Sequence, residues 1–192
     1  MNNYLVVDVE TGGIDPSFHS ILSISGVKWD LNHNQFLFGF LIREKKLEFT
    51  NKALGINGLT VAEICEKGLT PDEAVKDIRE ALNEAFGEDR EPVILIGHNV
   101  GFDILFIRRL YWIAGEDFFQ DFSHRSIDTA SILGFLMLRG DLPDHSPNSD
   151  YLFRITNVNV PADKRHTAHY DAMATAEALT RLVNGQYTLP KE

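Results

Sequence analysis

Apolar and polar positions along the chain fall into two rhythms. Through the first third, the apolar positions are β-branched or aromatic and come in short runs, at Tyr4–Val9, Ile21–Trp29 and Gln35–Ile42, with the breakers GGIDP and DLNHN between them. This predicts three strands. DLNHN is short enough for a hairpin turn, so the second and third strands are expected to be antiparallel neighbours. From Leu69 to Phe86 the rhythm turns helical, with Ala74, Ile78, Ala81, Leu82 and Ala85 on one face. Thr70 is the expected N-cap, and Pro71 takes the first helical position.

Strands and helices then alternate. Pro92–Ile96 reads as a strand, GHNVG as a turn and Phe102–Ala114 as a helix; another strand ends at Asp128, and Thr129–Leu138 follows as a helix. Gly140–Ser149, with two prolines, reads as a loop. In the last helix, Ala168–Val183, the small residues Ala168, Ala172, Ala174, Ala176 and Ala178 permit close approach to a sheet. Three meandering strands followed by alternating units predict an α/β fold, a mixed sheet covered by helices. No repeat, low-complexity tract or long linker divides the 192 residues, 44% of them hydrophobic, so a single domain over 1–192 is expected.

Composition narrows the chemistry. The apolar run Tyr4–Val7 is too short for a signal segment or a membrane span, so a soluble, cytoplasmic protein is expected. Cys65 is the only cysteine, which excludes an internal disulfide and a thiolate zinc site and leaves oxygen or imidazole to hold any metal. A formal net charge of −10 repels polyanions at long range. Nucleic acid would bind only where a metal or a local basic patch reverses the field.

Three acidic clusters supply candidates. Asp8 and Glu10 stand two apart on the first strand, so their side chains leave one face of the sheet. They are either solvated acids at a strand end or a pair that needs a cation between them. Asp103 falls in the first turn of a helix, where the dipole alone favours an acid. His166 precedes the last helix, Asp171 lies in its first turns, and each is ordinary by itself. Histidine titrates near neutral pH, which suits a general base.

Taken together, VVDVETGG, GHNVGFD and HTAHYDA, in this order from about Tyr4 to Val183, resemble the three motifs of the DEDDh family of 3′→5′ exonucleases. That family includes the proofreading epsilon subunit of bacterial DNA polymerase III and ribonuclease T. The resemblance implies an RNase H-like sheet, three antiparallel strands continued by two parallel to the first. It also implies that Asp8, Glu10, Asp103 and Asp171 hold two Mg²⁺ ions, with Mn²⁺ as a substitute, and that His166 is the general base. Such an enzyme would hydrolyse the last phosphodiester of a single-stranded 3′ end, DNA favoured and RNA as the alternative, and release nucleoside 5′-monophosphates. A non-catalytic docking module for nucleic acid or a polymerase is the competing reading. It gives no reason to crowd these acids together.

On the substrate side, Thr11 and Gly12 extend the first motif, and ALGINGL resembles the family segment that packs on the terminal nucleotide, which nominates Asn57 and Leu59. His98, Asn99 and Phe102 border the second motif, and Lys164 and Arg165 precede His166. The two basic residues, with Arg108 and Arg109, are candidates for phosphate contacts. Among thirteen phenylalanines, Phe18 and Phe102 lie nearest motif residues and offer stacking surface. PNSDYLFRITNVNVP departs from the short helix that the family carries before its histidine, which leaves the groove from Gly140 to Lys164 undefined. The chain ends about nine residues past the last predicted helix, so a stand-alone enzyme or a homodimer is expected rather than one tethered to a polymerase.

Overall fold

The computed structural model describes residues 3–162 and 164–188. Strands β1 (Tyr4–Thr11), β2 (Ile21–Trp29) and β3 (Asn34–Leu41) come first, followed by helices α1 (Asn51–Asn57), α2 (Val61–Lys67) and α3 (Pro71–Phe86). Next come β4 (Val93–Gly97), α4 (Val100–Ala114), α5 (Phe118–Asp121), β5 (Phe122–Asp128), α6 (Thr129–Leu138), α7 (Ser149–Ile155) and α8 (Ala168–Val183). One five-stranded sheet runs in the order β3-β2-β1-β4-β5. β1 pairs antiparallel with β2 and parallel with β4, β2 pairs antiparallel with β3, and β4 pairs parallel with β5. This is the mixed sheet that the alternating pattern predicts.

Alternation along β1 assigns the two faces. Leu5, Val7 and Val9 pack in a core with Ala74, Ile78 and Leu82 of α3 and Phe106 and Leu110 of α4. Val6 points the other way, with Val27 and Ile96, onto Ala172, Ala176 and Leu179 of α8. The alanines are what let α8 lie close over the sheet. Asp8 and Glu10 follow Val6 on this α8 side, so the period of two in β1 brings both acids toward the start of α8.

Local signals explain the element ends. Thr70 caps α3 in a capping box with Glu73, Pro71 opens the helix, and Asp30 ties the β2–β3 turn by accepting from the backbone N–H groups of Asn32 and His33. α4 begins at Val100 rather than Phe102, because Asn99 adopts a left-handed conformation (φ 60°) that turns the chain directly into the helix. Pattern reading misses α1, α2, α5 and α7. The α7 segment, whose sequence departs from the family's short helix, is nevertheless a seven-residue helix capped by the Asn148 side chain. Among the described residues, no helix is long and apolar enough to cross a membrane.

Candidate active site

β1 and α8 converge at the carboxyl end of β1. One carboxylate oxygen each from Asp8, Glu10 and Asp171 lies within 4.8 Å of the others. Opposite oxygens across a Mg²⁺ ion with 2.0–2.1 Å bonds are about 4.2 Å apart, so a small contraction would close these three around one ion. The electrostatics agree with that fit. Burial holds the Asp8 carboxyl well above the usual range, and Asp103, Glu10 and Asp171 raise it further. Glu10 is pushed up to about 8, first by burial and then by the charge of Asp171. Carboxyls that repel one another in a half-buried site, with oxygen as the only donor type, are a donor set that could hold a hard cation.

The one cation turned on this cluster is Arg165 among the described residues, and it lowers both shifted carboxyls. Its guanidinium donates to Asp171 Oδ1 at 2.5 Å, to Asp150 Oδ1 at 2.7 Å and to Ser149 Oγ at 3.1 Å, and it stacks over the Phe153 ring. Arg165, nominated for phosphate, is therefore committed to joining α7 to the acid site. The other oxygen of Asp171 accepts the backbone N–H of His166 at 3.0 Å. His166 has φ 59°, a left-handed conformation that is uncommon for a residue other than glycine. The bond to Asp171 holds that conformation and leaves the imidazole exposed at the rim of the site.

Asp103 reaches the cluster from α4, which packs on the other face of the sheet; among neighbouring charges it is the strongest that raises the Asp8 carboxyl, and its Oδ1 accepts the Val9 N–H at 3.0 Å. β1 and β4 stay in register only as far as Val6 and Ile96, so Val9 has no ladder partner on that side, and Asp103 supplies one. Burial is the main reason its carboxyl is pushed up to about 8, against the lowering effect of the Val9 bond.

The remaining candidates divide between site and scaffold. Asn57 donates to the Thr11 carbonyl at 3.0 Å, and it lines a cavity of about 280 Å³ with Leu59, Glu10 and His166. Thr11 Oγ1 donates to the Gly13 carbonyl. Gly12 is needed by the chain itself, since a Cβ there would come within 2.2 Å of the Glu48 carbonyl oxygen. His98 shares a bond with Thr129 Oγ1, and the Asn99 N–H donates to Asp128 Oδ1, so both brace β4 against α6. Phe102 packs on Phe106, Lys164 lies over the Tyr170 ring, Arg109 pairs with buried Glu44, and Arg108 sits over Phe119. Sequence reasoning passed over Ser23 and Ser25. They face the site because β2 pairs Ser23 with Glu10 and Ser25 with Asp8, and only the strand register could have revealed them.

Comparison with known proteins places this arrangement. The RNase T family, described as exonuclease, matches residues 5–179. Ribonuclease T of Hahella chejuensis is 28% identical over 196 residues, covering 94% of this chain and 83% of that one. The structure of E. coli exonuclease I in complex with a dT13 oligonucleotide aligns with a TM-score of 0.75 at 20% identity, over 97% of this chain and 42% of that one. Exonuclease I from Methylocaldum szegediense aligns with a TM-score of 0.72 at 21% identity, over 97% of this chain and 41% of that one. The chain thus spans about two fifths of the exonuclease I chains, and that likeness carries the fold alone. Matched by the family over nearly its whole length, the chain belongs to the RNase T exonucleases, within the RNase H-like 3′→5′ exonucleases.

Proposed function

We propose that the chain removes nucleotides one at a time from the 3′ end of single-stranded nucleic acid in a reaction that requires Mg²⁺ or Mn²⁺. The observation that carries this reading is the meeting of Asp8, Glu10 and Asp171 oxygens within 4.8 Å, beside a cavity that His166 also lines. The single-stranded oligonucleotide bound in the E. coli exonuclease I structure supports the strandedness of the substrate.

Asp8, Glu10 and Asp171 would hold the first ion, and Asp8 with Asp103 a second. Ions held there would supply positive charge for the phosphate and would make a nearby water more acidic. The protein residues carry the rest. His166 accepts the proton of the attacking water as its oxygen bonds to the terminal phosphorus. The bond from phosphorus to the 3′ oxygen of the preceding nucleotide breaks, that oxygen takes a proton from solvent to become the new 3′-OH, and a nucleoside 5′-monophosphate is freed. Asp171, bonded to the His166 N–H, keeps the loop in its left-handed turn so that the imidazole stays at the rim.

The test is a 5′-labelled single strand with the pure protein. Stepwise shortening with Mg²⁺, none with a chelator, and none from Asp8→Asn is the expected outcome. His166→Ala should slow the reaction by about 10²- to 10⁴-fold, the usual range for a general base, with Mn²⁺ binding retained. Undiminished turnover by His166→Ala would remove the histidine from its role.

A further inference from the structure

β4 and β5 stay paired to their last residues, with Leu95 beside Ser126, Ile96 beside Ile127 and Gly97 beside Asp128. The start of α6 therefore stands next to the turn that opens α4. Two adjacent side chains there hold three successive residues of that turn. Thr129, fully buried, donates from Oγ1 to the Gly97 carbonyl at 3.2 Å and lies 2.9 Å from Nδ1 of His98. Asp128 Oδ1 accepts the Asn99 N–H at 2.7 Å.

The turn depends on that hold. Asn99 enters α4 with φ 60° and ψ 43°, a left-handed conformation that glycine takes freely and other residues take at a cost, and its own side chain makes no capping bond. Gly97 leaves no slack on the strand side, because a Cβ there would stand 2.9 Å from Val100 Cγ2 and 3.2 Å from the Val7 carbonyl oxygen. Among the described residues, no side chain other than Asp128 bonds the Asn99 backbone. Asp103 comes four residues later, about one helical turn, and the first turn of a helix frays when its entry is not fixed.

We propose that Asp128, aided by Thr129, is a positioning residue for the second ion site: it fixes the turn that sets Asp103 in its place near Asp8. The proposal rests on the two-ion reading above. Asp128 acts from behind Asp103, since its own oxygens are engaged, Oδ1 with the N–H groups of Asn99 and Ala130 and Oδ2 with the Ser131 hydroxyl. These contacts fall into two sets. The bonds to Ala130 and Ser131 cap α6, and the bond to Asn99 serves α4, so the proposed role is separable from ordinary capping.

The test counts Mn²⁺ ions on the full chain by electron paramagnetic resonance, beside steady-state cleavage of a 5′-labelled single strand. The unaltered protein should bind two ions. Asp128→Ala should bind one as before and the other at least about tenfold more weakly, with kcat falling by a similar factor and KM unchanged, as when a group behind a metal ligand is lost. Asp128→Asn keeps an oxygen for the Asn99 N–H and should stay within about threefold of the unaltered protein. Ser131→Ala touches only the α6 set and should change neither ion. Thr129→Val lacks the hydroxyl at nearly the same volume, should weaken the same ion by about threefold or more, and carries the test if Asp128→Ala does not fold. Two ions held by Asp128→Ala and Thr129→Val with unaltered affinity, Asp128→Asn as impaired as Asp128→Ala, or loss of both ions together would overturn the assignment. Fewer than two ions on the unaltered protein would discard the two-ion reading along with it. Intact oligonucleotides, with one ion lost selectively from Asp128→Ala, would keep the assignment and discard the exonuclease reading.

Discussion

Glu10 makes the electrostatic cost of the site measurable without any substrate. Its carboxyl stands at about 8 in the folded chain, raised from 4.5 by burial and by Asp171. A folded pKa above the unfolded one means that the native state holds the proton longer, so stability contributed by the protonated form is lost as pH rises between those two values. The full slope for one group is about 1.4 kcal/mol per pH unit, which sets an upper bound of about 5 kcal/mol across the window. Part of the Glu10 carboxyl meets solvent, and about half of that bound is the expected effect. The perturbation is Glu10→Gln, and the assay is urea unfolding in a chelator at a series of pH values from about 5 to 8. The variant should gain on the unaltered protein steadily, by about 2 to 3 kcal/mol at the alkaline end. Excess Mg²⁺ should narrow or reverse the gap, since an ion at a hundred times its Kd adds about 2.7 kcal/mol to the protein that binds it. Parallel stability curves in the chelator would refute the argument that Glu10 is held protonated by its surroundings.

Three further outcomes follow from described contacts. Arg165→Gln removes the counter-charge of the acid cluster and the link from α7 to Asp171, so thermal unfolding in a chelator should come earlier, and added Mn²⁺ should recover most of the difference. Gly12→Ala forces a Cβ to within 2.2 Å of the Glu48 carbonyl oxygen and should cost about 2 kcal/mol or more in chemical denaturation. Asp121→Ala leaves buried Arg90 and the Tyr111 hydroxyl without their shared carboxylate, and a loss of about 3 to 5 kcal/mol is expected from the same measurement.

Long elements with a clean period were legible from the chain. β2, α6 and α8 have the boundaries that the apolar pattern predicts, because each is long enough for its period to stand out and each ends at a turn signal. Short helices were not. α1, α2 and α7 have seven residues each, about two turns, so periodicity alone cannot find them, although TVAE at the start of α2 is a capping box that could have been read. The nearness of Asp8 and Glu10 followed from a two-residue step. The meeting with Asp171 was expected only through the motif resemblance, because it depends on which face of the sheet α8 covers. The Asp103–Val9 bond depends on where β4 stops pairing, and the commitments of Arg165 to Asp150 and of Arg109 to Glu44 depend on partners fifteen and sixty-five residues away. Residue type announces a charge, and only the tertiary arrangement says what neutralises it.

The alternation along β1 also protects the molecule from misassembly. Leu5, Val7 and Val9 enter one core while Val6, Asp8 and Glu10 face α8, so a slip of one residue would drive both acids into the hydrophobic layer under α3 and α4 and turn the valines out. Such an isomer would lose its ligands and its core in the same step. Chains that reach a well-packed state therefore reach it with the acids in place, and selection for a stable fold is at once selection for an assembled site.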